Sequence, residues 1–115
     1  MADPADIEVQ TEARDDAMIL RPKGEIDLSR SPALRHHLSE AQRDSPGRLI
    51  IDLHEVPYMD SSGVATLVEA MQTARRQGSQ LVLCAMQDKV RSIFEIARLD
   101  MVFTIVASTD DAMTA

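Results

Sequence analysis

RLIIDLHEVPYMDSSGVATLVEAM, residues 48–71, is the stretch whose reading decides the fold. Its opening, RLIIDL, is a compact apolar run of the kind that central strands carry when both their faces are covered. From Val64 the period changes: Val64, Leu67, Val68, Met71 and Ala74 recur at the spacing of one helical face. Between the two lies MDSSG, Met59 to Gly63. A strand that hands over to a helix through a short loop is half of a βα unit, and such units build parallel sheets. The free N–H groups of the first helical turn need an acceptor, which makes Asp60 or Ser61 the expected N-cap. Gly63 allows a tight start, and Gly78 is a natural stop.

Upstream, Ile7, Val9 and Thr11 alternate with Glu8, Gln10 and Glu12, the two-residue period of a half-exposed strand. RDDA reads as a turn, and AMIL, residues 17–20, as a second strand paired back on the first. Pro22 and Gly24 are expected to end regular pairing there. A helix follows, with Ser31 as the expected N-cap, Pro32 at the first helical position, and Leu34, Leu38 and Ala41 on its inner face; DSPG stops it. Downstream, LVLCAM reads as a buried strand, Val90, Ile93, Phe94 and Ala97 as an amphipathic helix, and VFTIV as a last strand. Ser108 and Asp111 stand at capping-box spacing and predict a short terminal helix.

The order β-β-α-β-α-β-α-β-α predicts an α/β domain with a mixed, mostly parallel sheet of four or five strands. The N-terminal hairpin adds an antiparallel edge. Each strong helix shows one apolar stripe, so the helices are expected mainly on one face of the sheet. Residues 49–53 and 81–84 should be interior strands. No repeat, low-complexity tract or linker interrupts the chain, and residues 1–115 read as one domain.

A chain of 115 residues can bury roughly two-thirds of its unfolded surface, enough for a core without disulfides or metal. Aromatic residues make up 3% and Trp is absent, so there are few rings on which bases or sugars could stack. The net charge of −7 argues against nucleic acid and against anionic membranes, both of which need clustered Lys and Arg. A cationic protein surface is compatible with it. The single Cys84 lies in an apolar run and reads as a buried free thiol, and a lone cysteine points to a reducing compartment. The N-terminus has no signal-peptide pattern and no run reaches membrane-span length, so a cytoplasmic domain without direct membrane insertion is expected.

Catalytic and cofactor motifs are missing. There is no Walker or dinucleotide fingerprint, the four glycines leave little for a phosphate cradle, and no cofactor is expected. His36 and His37 are adjacent on a helix and point to different faces, which suits surface residues rather than a metal site. His54 and Asp60 beside the serines suggest a hydrolase, but Met59 fills the first Gly position of a G-x-S-x-G elbow, and no His follows His54. The chain is not expected to be an enzyme. One cap would satisfy the helix, yet DSSG offers three candidates, leaving a hydroxyl on a loop where phosphate could be accommodated.

Three segments carry a resemblance to a known family: GEIDLSRSPAL from Gly24, LIIDLHEVPYMDSSGVATLVEA from Leu49, and GSQLVLCAMQDKVRSIFEIARLD from Gly78. Together they resemble the STAS domain, and within it the bacterial anti-sigma factor antagonists. The resemblance implies partner switching. The unphosphorylated antagonist would bind an anti-sigma factor that is also a serine kinase and so free the sigma factor; a protein phosphatase would reset the phosphorylated form. It implies Ser61 as phosphoacceptor, Asp60 as an adjacent determinant, Ser62 and Gly63 as the rest of the recognition loop, and Asp27 on the same partner-facing surface. Many antagonists carry a second glycine where this chain has Ala65, a residue small enough for close packing. The alternative implied reading is a STAS subunit docked on a membrane transport complex, such as a lipid-transport ATPase.

Overall fold

A computed structural model describes residues 6–115. Five strands form one sheet in the order β1 (Glu8–Arg14), β2 (Ala17–Lys23), β3 (Arg48–Asp52), β4 (Gln80–Cys84) and β5 (Thr104–Val106). The β1–β2 hairpin is antiparallel and every other pairing is parallel. Helices α1 (Ser31–Gln42), α2 (Ser61–Gln77) and α3 (Asp88–Ile96) are the crossovers, a 3-10 turn (Leu99–Met101) leads into β5, and α4 (Thr109–Met113) closes the chain. The mostly parallel sheet and the two interior strands stand as the apolar runs predict.

Side chains alternate across the sheet because the strand period is two. The row Leu20, Ile51, Leu83 faces α1, α2 and α3 and belongs to the main core with Leu34, Leu38, Leu67, Ala74, Val90 and Phe94. The row Ile19, Ile50, Val82 faces the other way, where among the described residues the short α4 covers it through Ala112. Helices do lie mainly on one face, and the capped terminal helix seals the second. Ser108 accepts from the Asp111 amide, as its spacing predicts, and Arg48 reaches from β3 to the carbonyl oxygens of Ala112 and Ala115.

Two local expectations fail. β2 does not stop before Pro22, which pairs with Val9 in the ladder to β1. The Gly24 amide donates to Glu55 O on the β3 side. By two-residue alternation the Pro22 nitrogen also faces that side, past Leu20, where the β3 ladder has ended, so the missing N–H costs β1 nothing. Ser31 is not the cap of α1. It is the first helical residue, the cap position is Arg30 without a side-chain acceptor, and the turn before the helix is held by Asp27, whose carbonyl accepts from the Arg30 and Ser31 amides. Cys84 is buried and free, as expected of it.

Candidate partner-binding site

After β3 the chain does not turn straight into α2. Leu53, Val56 and Met59 are fully buried and pin the connection to the core. The segment after β2 runs alongside it. Gly24 N–H donates to Glu55 O, Ile26 N–H to Tyr58 O, and Asp60 N–H to Ile26 O, with an isolated parallel bridge between Ile26 and Met59. This strapping is what brings Asp27 beside the 60–63 loop, two places that are 33 residues apart in the numbering of Asp27 and Asp60.

Gly63 is demanded by the same packing. A Cβ there would lie 2.5 Å from Met59 Cγ and 2.9 Å from Ile26 Cγ2, side chains with no room to retreat because both are fully buried. Ala65, by contrast, is exposed, so close packing does not restrict that position. The near approach falls at the first glycine of the motif alone.

Asp60 resolves the choice of cap. Its Oδ1 accepts from the amides of Ser62 (2.9 Å) and Gly63 (3.3 Å), and its Oδ2 accepts from the Leu28 amide across the gap to the other loop (3.1 Å). The Ser62 hydroxyl lies 2.5 Å from Oδ1 and 2.7 Å from the Ser31 hydroxyl, which itself lies 2.8 Å from Asp27 O. Ser62 is thus half-buried and held by both loops. Ser61 differs in every respect: it is exposed, and no hydrogen bond to its hydroxyl is found among the described residues.

Both carboxylates are set to stay charged. The Ser62 hydroxyl, followed by the Gly63, Ser62 and Leu28 amides, holds Asp60 below the ordinary carboxylate range against a partial loss of solvation. The Ser29 hydroxyl, then the Arg30 and Ser29 amides, do the same for Asp27. Around them Leu28 is 75% exposed and Tyr58 45% exposed, so the acidic centre has an apolar rim. The sequence gives no sign of that rim, because exposure of an apolar residue follows from packing around it and not from its identity.

The site does not assemble a hydrolase. His54 Nδ1 lies 3.0 Å from Asp52 Oδ1 and its Nε2 3.4 Å from Glu55, so the ring is engaged away from the serines. His36 is exposed and His37 half-buried, and no group of three His, Cys, Asp or Glu suited to a metal occurs among the described residues. No helix there is long and apolar enough to cross a membrane.

The STAS domain model matches residues 8–112. The chain is 35% identical over 100 residues to the anti-sigma-B factor antagonist of Listeria monocytogenes, covering 86% of this chain and 88% of that one. The crystal structure of an anti-sigma factor antagonist from Mycobacterium paratuberculosis superposes with a TM-score of 0.87 at 27% identity, over 99% of this chain and 97% of the other. The Bacillus cell fate determinant SpoIIAA in its phosphorylated form has the same fold, with a TM-score of 0.72 over 93% and 97% of the two chains; its 21% identity bears on the fold alone. The chain belongs to the STAS domain family.

Proposed function

We propose that this chain is an anti-sigma factor antagonist, a single STAS domain that works as a binding module and kinase substrate and not as an enzyme. Unphosphorylated, it binds an anti-sigma factor that carries serine kinase activity and so releases a sigma factor in the cytoplasm. The kinase phosphorylates Ser61, the complex separates, and a protein phosphatase resets the protein. Asp27, Asp60, Ser62 and Gly63 form the partner-binding loop pair, and neither nucleic acid nor membrane insertion is involved.

One observation carries this reading: of two adjacent serines, Ser62 is locked by Asp60 and Ser31, while Ser61 presents a free hydroxyl to solvent. A kinase needs an accessible oxygen that can be turned toward its nucleotide, and only Ser61 offers one without breaking the cap. Phosphate adds about −1.5 to −2 charge. The amides of Ser62 and Gly63, which a phosphate at a helix start would ordinarily use, are already taken by Asp60. The new charge therefore sits beside two ionised carboxylates with little local compensation, and an interface built on this surface would have to desolvate all three.

Mass spectrometry after incubation with a cognate anti-sigma factor kinase and ATP tests the assignment. Phosphate on Ser61, absent from Ser61→Ala, is expected. Phosphate confined to Ser62, or persisting in Ser61→Ala, contradicts it.

A further inference from the structure

The sheet has two edges, and they are unequal: β5 is three residues long, whereas β1 presents seven. Which backbone groups β1 leaves open follows from the ladder. Even-numbered residues of β2 turn their polar groups toward β3, as the continuation through Gly24 and Ile26 to Glu55 O and Tyr58 O shows. Its odd-numbered residues face β1, so the pairs Glu8–Lys23, Gln10–Arg21, Glu12–Ile19 and Arg14–Ala17 carry the hairpin's hydrogen bonds. A two-residue turn closing on the Arg14–Ala17 pair agrees with this. Val9, Thr11 and Ala13 therefore turn their N–H and C=O groups outward.

We propose that this edge pairs with the same edge of a second copy, antiparallel, across a two-fold axis at Thr11. A two-fold pairing must set outward residues against outward residues, and of the five centres this allows, 9 and 13 pair only three residues of the strand, which leaves the registers centred on 10, 11 and 12. Centred on residue 10, Glu8 meets the other copy's Glu12 twice; centred on residue 12, Glu12 meets Glu12; both oppose like charges directly. Centred on Thr11, Glu8 meets Arg14 twice and Gln10 meets Glu12, while Val9 and Ala13 exchange backbone hydrogen bonds; Arg14, which also holds Glu12 of its own strand, and Glu8, which lies 3.9 Å from Lys23, would then be shared between the copies. The charges that guard the edge against other strands thus become complementary in the one register that pairs all seven residues of β1. Gln10, Thr11 and Ala13 are exposed, and no residue of the Asp27–Asp60–Ser61 surface lies on β1. The net charge of −7 on each copy opposes association, which is consequently weak and concentration-dependent.

Sedimentation velocity on the full chain, from tens of micromolar to about 1 mM, reads this directly. A monomer–dimer equilibrium is expected. Thr11→Pro removes an outward N–H without touching the β1–β2 ladder and should weaken dimerisation at least about tenfold with the thermal melt preserved. Arg14→Glu should weaken it similarly, and the reversal Glu8→Arg with Arg14→Glu should return it to within about threefold of the native chain. That rescue keeps the proposal falsifiable if the proline variant fails to fold. A monomer at every concentration, a dimer insensitive to both changes, or a double reversal that does not rescue would overturn it, as would an edge that takes up only unrelated extended peptides.

Discussion

Helices α1 and α2 start side by side at the same end of the sheet, each behind an aspartate, and the two starts are built on different plans. Asp27 serves its own loop: its Oδ1 accepts from Ser29 and Arg30, and its carbonyl from Arg30 and Ser31. Asp60 serves two loops at once, capping α2 with one oxygen and holding the Leu28 amide with the other. The two starts also touch where the Ser31 hydroxyl lies against that of Ser62, but the aspartate of the α2 start is the joint that binds both loops. A residue of the proposed binding surface can therefore also carry the fold, and substitutions at Asp60 and Asp27 will not report on binding to the same degree.

The largest expected effect lies in the packing under that joint. Gly63→Val should cost about 3 kcal/mol, because Met59 and Ile26 cannot clear space for the new atoms. Urea titration checks this; a loss under ~1 kcal/mol would mean the two loops separate more easily than their strapping suggests. Asp60→Ala should come next, at about 1–2 kcal/mol for the lost cap. Asp27→Ala should shift the urea midpoint less, and the reverse order would exchange the roles of the two starts.

Acid should weaken both starts, since both carboxyls are depressed in the folded chain. The folded carboxyl of Asp60 is depressed, so its contribution is fully present above the unfolded value of roughly 4 and is lost as pH falls through the lower folded value. The stability difference between the native chain and Asp60→Ala should then shrink on acidification toward pH 3 and stay constant near neutrality. Burial alone would raise the Asp52 carboxyl, but the His54 amide and ring with Thr109 outweigh it and leave it lowered. It therefore supplies a further acid-labile contact, between β3 and α4, that Asp60→Ala leaves intact along with that of Asp27. The smallest effect belongs to Ser31→Ala, about 1 kcal/mol for its contacts with Asp27 O and the Ser62 hydroxyl. Its sharper readout is regiochemistry: with Ser62 released on one side, a kinase should begin to modify it in addition to Ser61.

Much of this was legible in the chain. Strands β3 and β4 announce themselves as apolar runs, and Gly78 ends α2 with φ of 71° in the left-handed region that favours glycine. Pro22 misleads because its effect depends on which side of the strand its nitrogen faces, and only the sheet order reveals that. Ser31 looks like a cap by type and spacing, yet its hydroxyl lies against Ser62, a partner 31 positions away that no local pattern encodes. The five residues of α4 are too few to carry a stripe, so nothing local says that it covers the opposite face from the other three helices. The serine pair is the instructive case. Its identity as a motif is visible in sequence, but the difference between an exposed Ser61 and a locked Ser62 comes from Asp60 and Ser31 together.

That difference is the centre of the account, and calorimetric titration of the anti-sigma factor with native, Ser61-phosphorylated and Ser61→Asp protein tests it most directly. Phosphorylation should weaken binding by ~3 kcal/mol or more, over a hundredfold in affinity. Ser61→Asp, with one charge and shorter reach, should give part of that loss, and the thermal melts of all three should remain cooperative because the added charge lies outside the core. Equal affinity for the three forms would contradict the account, and a phosphorylated chain without a cooperative melt would show that the switch acts by unfolding.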